Sequence, residues 1–322
     1  MRLYLKITCL SLLTLIIAGC KKDPKGSKTV DVYVSGIANG KATYWKNGVA
    51  TQLGDGNSID GKIVVSNGDV YVSGGVETGQ GPSAFYYKNG TRIDLGAGET
   101  YAVAVNGTDV YLAGMVLTPN GYSEAAYWKN GQLINLGVGG DIYAITIVGN
   151  DIYMAGETTN DMGGNLTATY WKNGVATTLG FGTATSIAVA GNDVYVSGFN
   201  SDANGMADGY WKNGTFVPIE NALDGTIYDI KVSGNNVYLA GYITKGAGMY
   251  ATLWKNGVAT SYDEYTIAYG LAVNGTDTYM AGSDIQKPPG NVQFAYSWKN
   301  GAPSVLSNTG LNYGKSVFVV SH

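Results

Sequence analysis

The stretch Tyr127-Trp128-Lys129-Asn130-Gly131 decides the fold, because it is one of seven copies of the same phrase. The others occupy 44–48, 86–90, 170–174, 210–214, 253–257 and 297–301, at steps of 40 to 44 residues. A fixed period of about 40–45 residues marks a repeat array and suits four-stranded propeller blades. Around Trp128 the reading extends in both directions. Residues 102–105 alternate and predict an inner strand, A. Asn106-Gly107-Thr108-Asp109 is a turn, 110–114 a second strand, B, and 116–124 a loop. Residues 125–129 are strand C, and Asn130-Gly131 is a two-residue hairpin turn that matches strand twist. Residues 132–136 are strand D.

Every element recurs, so the sequence predicts an all-β chain: a seven-bladed β-propeller of four-stranded antiparallel blades. The first copy lacks a strand A, and the chain ends on an unpaired one, Ser316-Val317-Phe318-Val319-Val320. That last strand is expected to complete the first blade and close the ring, which removes its two exposed edges. Aliphatic positions of strand A alternate with small ones, such as Ala102, Ala104, Ala144 and Ser186, as strands converging on an axis require. Asp229 and Lys231 break that pattern in one blade.

The two faces of the ring are expected to differ. From the turn Gly to the end of strand D is five residues in all seven copies. From the Gly that ends strand B to the next phrase, the steps run from 8 to 15. Variable loops on a rigid scaffold are where recognition resides. Ligand contacts are therefore expected from Tyr101, Tyr143, Tyr228 and Tyr269 at strand-A starts, with Tyr122, Phe199, Tyr242 and Tyr250 on B–C loops. Tyr supplies both stacking surface and a hydroxyl. The Lys, Trp and strand-B Tyr of the repeat read as solvated turn residues and inter-blade packing.

Composition restricts the chemistry. The single His is His322, which removes histidine triads, metal centres and acid–base work. Cys9 and Cys20 both precede the repeats, so no disulfide staples the folded part. A formal charge of −4 does not suit a nucleic-acid binder. The leading reading is a surface-anchored, non-enzymatic propeller, monomeric, binding a glycan or a protein partner. The alternative is a carboxylate- or calcium-dependent glycan hydrolase or lyase, separated from the first by whether several carboxylates converge at the channel mouth. The third is a structural envelope protein.

At the start of the chain, Arg2 and Lys6 flank an apolar run over 7–18 that ends Ile17-Ala18-Gly19-Cys20. This resembles the lipobox of bacterial lipoproteins and implies a signal peptide over 1–19, lipidation of Cys20, a tether over 20–29 and the propeller over 30–322. Membrane contact would then be through the lipid alone, at the outer membrane or surface of a Gram-negative cell. The stretch 200–208 is similar to the calcium loops of integrin-type propellers. That likeness implies ligands from Asn200, Asp202, Asn204, the Met206 carbonyl and Asp208. Ala84-Phe85-Tyr86-Tyr87-Lys88-Asn89-Gly90, followed by Asp94-Leu95-Gly96, resembles the HAF-type extracellular repeats. That family implies a fold and a location but no activity. The Gly-His and Trp-Asp dipeptides of WD40 repeats are absent.

Overall fold

The computed structural model describes residues 29–54, 61–79, 81–159, 165–202, 205–219, 225–285 and 292–322. The lipobox-like segment with Cys20 therefore lies outside the described residues. Those described form twenty-six strands and no helix. All strand pairs are antiparallel and nearly all join sequence neighbours, as in Glu99–Asn106, Asp109–Leu117, Ser123–Lys129 and Gln132–Val148. Strands B and C run further than the sequence suggested. The B strand reaches Leu117 and C begins at Ser123, which shortens the expected loop.

The sheets are four of four strands and one of ten, rather than equal units throughout. The ten-stranded sheet arises because strand D of one repeat continues as strand A of the next, in Gln132–Val148 and Val175–Ala190. Glycine makes this passage possible. Gly140 and Gly182 take φ of 133° and 136°. A Cβ at either would lie about 2 Å from the carbonyl oxygen of Glu157 or Phe199. Only a residue without a side chain combines that φ with so close a backbone. The last strand, Tyr313–Ser321, pairs with Val30–Ala38, with Val317 opposite Val34.

Strand alternation gives each sheet two different faces. Trp128 stands opposite Leu112, which stands opposite Val103, so these three share one face. Tyr111 and the small residues Ala102, Ala104, Ala113 and Ala125 occupy the other. The small face of one repeat receives the indole of the next: Trp171 packs with Ala102, Ala113 and Ala125. Trp211 and Trp298 repeat the arrangement on alanines, Trp128 packs with Ala84, Tyr71 and Tyr86, Trp254 packs with Tyr195 and Ile219, and Tyr87 joins the corresponding cluster in the repeat that has no Trp. Trp45 joins the first repeat to Ala272, Tyr279 and Ala281 of the last. All six indoles are at most 1% exposed. Truncating such a side chain costs about 3–5 kcal/mol.

The rest of the phrase builds the turn. All seven turn Asn residues have φ between 50° and 52°, the left-handed region that Asn tolerates best among residues with side chains. Each side chain also bonds the start of strand B. Asn130 Oδ1 accepts from Val110 N at 2.8 Å, and its Nδ2 donates to Asp109 at 2.8 Å. Lys129 pairs with the same Asp109 at 3.0 Å and lies over the Tyr111 ring. Six repeats carry this Lys–Asp pair. In the sixth repeat Asn236 replaces the Asp, and Lys255 lies over Tyr238. The lysines are therefore matched within their own turns, which agrees with their reading as turn residues.

Asn130→Ala should lower stability by about 1–2 kcal/mol, because it removes two hydrogen bonds and forces Ala into a left-handed backbone. Lys129→Ala removes an exposed ion pair and an exposed contact with the Tyr111 ring and should cost under about 1 kcal/mol. Denaturant titration of both variants distinguishes them, and equal losses would mean the ion pair holds the turn.

Candidate functional site at the mouth of the central cavity

One residue in each inner strand is out of register. The pairing skips Tyr101, Tyr143, Thr185, Tyr228 and Tyr269 in five strands, and Lys315 in the last. These are β-bulges, which re-aim the extra side chain and tighten local twist. In the remaining strand, counting back from the Ile63–Val72 pair puts Gly61 at the bulge and Lys62 just after it. Tyr143, Thr185, Tyr228, Tyr269 and Lys315 then line one cavity of about 250 Å³ with Lys62 and Thr183. Tyr101 joins them through Tyr143, with ring centroids 5.4 Å apart. Tyr228 packs against Tyr269 at 5.1 Å and Tyr242 at 6.3 Å.

The structure thus gathers Tyr101, Tyr143, Tyr228, Tyr269 and Tyr242. It does not bring Tyr122, Phe199 or Tyr250 to this cavity. Phe199 and Tyr250 belong to strands rather than loops, as Tyr242 does. Phe199 lines a separate exposed hollow with Leu166, Phe181 and Met206. Tyr250 lies under Lys245, and Tyr122 is an exposed turn residue.

Of the calcium-like stretch, Asn200 and Asp208 are described on one hairpin. In it Asn200 pairs with Ala207, and Phe199 with Asp208. Neighbouring residues of a strand point to opposite faces, so Asn200 and Asp208 diverge. Asp208 instead accepts a hydrogen bond from Ile227 N at 3.2 Å, and Met206 is 66% exposed. Asn204 lies outside the described residues. Among the described residues, no group of three or more His, Cys, Asp or Glu is arranged to hold a metal ion.

Three carboxylates that the sequence did not single out stand behind Tyr101 and Tyr143, beyond the residues that line the cavity itself. The Glu157 carboxylate accepts from Tyr143 Oη at 3.1 Å and from Thr183 Oγ1 at 2.5 Å. Glu99 and Asp141 stand within hydrogen-bonding reach of the Tyr101 hydroxyl. Burial, reinforced by the charges of Glu157 and Glu99, pushes Asp141 up to about 6 against that hydrogen bond. Burial and the adjacent carboxylates also push Tyr101 and Tyr143 upward, so both hydroxyls stay protonated and donate.

The floor of the mouth is cationic. Asp229 is 3% exposed. Its Oδ1 accepts from Lys231 Nζ at 2.6 Å, Ser186 Oγ at 2.7 Å and Ile230 N at 2.9 Å. Its Oδ2 accepts from Leu271 N at 2.9 Å. Burial alone would raise this acid, but Lys231, Lys62 and the hydrogen bonds outweigh it and hold it at about 2. Lys62 reaches in from another repeat, with Nζ 3.9 Å from Asp229 and 3.4 Å from Ser186 Oγ. Beyond this cluster a second cavity of about 440 Å³ follows the inner strands, lined by Val64, Val105, Ile147, Val189 and Phe318. The break in the strand-A pattern at Asp229 and Lys231 was the one sequence signal for this floor. Lys62 and Lys315 gave none, because their equivalence to the tyrosines depends on the bulge.

Asp229→Ala should cost about 3 kcal/mol, since it leaves Lys62 and Lys231 without their shared counter-charge. Lys62 is held down to about 8, chiefly by burial. Asp229 raises that value, so without it Lys62 releases its proton at lower pH, and the variant's deficit should shrink between pH 5 and pH 8 as the repulsion goes. Urea unfolding at the two pH values measures this, and a deficit that does not change with pH would contradict the assignment.

No family model matches this chain, and no curated protein does. Solved structures do resemble it. The β-propeller domain of the trilobed protease from Pyrococcus furiosus matches at TM-score 0.52 and 10% identity, over 86% of this chain and 94% of that one. The acylaminoacyl peptidase of Pyrococcus horikoshii matches at TM-score 0.51 and 12% identity, over 88% of this chain. The chain spans about half the length of that peptidase, 52%. The polysaccharide lyase Uly1 matches at TM-score 0.44 and 12% identity, over 80% of this chain and 82% of its own. At such identities the likeness is one of fold alone, and the fold is a β-propeller built of repeats.

Proposed function

We propose that the mouth is a glycan-processing site of the hydrolase type, in which Asp141 is the proton donor and Glu157 the second carboxylate. One observation carries this reading: Glu99, Asp141 and Glu157 converge on two tyrosines, with Asp141 raised to about 6. Two carboxyl groups in unlike environments suit acid and base roles at one bond. Protonated Asp141 would give its proton to the leaving glycosidic oxygen as the C–O bond breaks. Glu157, fixed by Tyr143 and Thr183, would stabilise the positive charge on the sugar and direct the water that replaces the leaving group. Tyr228 and Tyr269 supply a stacking surface for the sugar ring.

The tyrosine cluster alone also supports a non-enzymatic glycan binder, and kinetics separate the two readings. Release of reducing ends from a panel of polysaccharides should fall at least a hundredfold in Asp141→Asn. Wild-type activity should decline as pH rises past about 6, where Asp141 loses the proton it must donate. A variant as active as the parent, or a parent inert on every glycan it binds, would leave the binder.

We infer two further features. Ring closure into seven blades is supported by the pairing of Tyr313–Ser321 with Val30–Ala38 and by the seat of Trp45 on the last repeat. Anchoring by a lipid on Cys20, outside the cytoplasm, is supported by the sequence before it and by the HAF-like repeats. Cys20→Ser should abolish incorporation of radioactive palmitate, and undiminished labelling would refute the anchor.

A further inference from the structure

We propose that the mouth selects an acidic sugar, a uronic-acid unit whose carboxylate is received by Lys62 Nζ. The proposal rests on the carbohydrate reading of the site but not on catalysis there. Lys62 is anomalous for its place. Counting from the same B-strand partners, the equivalent positions of five other inner strands hold Ala102, Ala144, Ser186, Gly270 and Ser316. Of these small residues, Ala144, Ser186 and Ser316 line the larger cavity. A lysine sends its chain across the opening and places its ammonium between the two cavities, both of which it lines.

The ammonium is poorly matched by the protein. It offers three donors. Its hydrogen bond to Ser186 is long, and Asp229 is 3.9 Å away, with Oδ1 already bonded by Lys231, Ser186 and Ile230. Lys231 and Lys315 add like charge nearby, and together with burial they work against the protonated form. A ligand carboxylate arriving from the mouth would supply the missing acceptor in a site where charge-assisted hydrogen bonds are strong.

The surroundings define the rest of the ligand. Tyr143, Tyr228 and Tyr269 offer ring faces, and Thr183 and Thr185, whose protons go to Glu157 and the Ile227 carbonyl, offer hydroxyl oxygens as acceptors for a polyol. The carboxylates Glu99, Asp141 and Glu157 stand on the side of Tyr101 and Tyr143 and repel an anion there. A uronate is therefore oriented, with its carboxylate toward Lys62 and away from the acidic side. A bare inorganic anion lacks the ring to fill the aromatic walls.

Calorimetric titration of the full-length chain, in the Asp141→Asn background to prevent turnover, tests this. The probes are a uronic-acid oligosaccharide, a neutral oligosaccharide of the same length, and inorganic phosphate. The uronate should bind about tenfold or more tighter than the neutral sugar, and phosphate should not bind measurably. Lys62→Gln should weaken the uronate about tenfold, the loss expected for one charge-assisted hydrogen bond, and leave the neutral sugar unaffected. Lys129→Gln, on the opposite face, should change neither. Uronate affinity should also fall between pH 7 and pH 9 as Lys62 loses its proton. The groups facing it are Asp229, Lys231, Lys315 and the hydroxyls of Tyr143, Tyr228 and Tyr269. Should Lys62→Gln fail to fold, the parent's preference for uronate and its pH profile still decide. Equal affinity for both sugars, tight phosphate binding, or a folded Lys62→Gln that binds uronate normally overturns the proposal. Uronate binding with no turnover by the parent chain would instead remove only the hydrolase reading.

Discussion

An indole seated on a floor of alanines is the contact on which the architecture depends. A sheet buried on both faces must present two complementary surfaces, and here one is large and flat while the other is small. Trp171 fits against Ala102, Ala113 and Ala125 because nothing larger stands at those positions. Buried indoles in six repeats, seated on alanines or on other apolar side chains, hold successive repeats close enough for their inner strands to share a central cavity. Interiors packed this closely fix the sheets relative to one another and leave little room for adjustment.

That rigidity gives the bulges their significance. A bulge in an isolated hairpin is a local kink. In strands already fixed around a cavity, six bulges direct Tyr101, Tyr143, Thr185, Tyr228, Tyr269 and Lys315 toward one place. The mouth is consequently built from strand residues more than from loops. A site carried by strands holds its side chains more precisely than one carried by mobile connections.

The mouth is also electrically divided. Carboxylates with their tyrosine partners occupy one side, and lysines around one deeply buried aspartate occupy the floor. Low local dielectric raises the weight of both groups. It holds Asp141 near the pH at which a proton can be given away, and it leaves Lys62 with a charge that its neighbours only partly satisfy. The opposite face contrasts with this. There each lysine is exposed and, in six repeats, paired with the aspartate of its own turn, so the face carries charge without a focus.

The period of the Trp-Lys-Asn-Gly phrase by itself determined the meander, its strand order and its hairpin turns. Those features are local: an Asn-Gly pair needs only its own backbone, and Val-Tyr-Val alternation needs only the pleat. It determined which tyrosines stand at the inner strands, and so most of the aromatic wall. It did not determine that Phe199, Tyr122 and Tyr250 lie elsewhere, or that Asn200 and Asp208 diverge, because one step of register reverses a side chain. The alliance of Lys62 with Asp229 joins residues far apart in the chain, and that of Glu99 with Asp141 and Glu157 joins neighbouring repeats. No spacing rule encodes such contacts. Only the packing of sheet on sheet, which sets how closely the inner strands converge, decided which charges share the mouth.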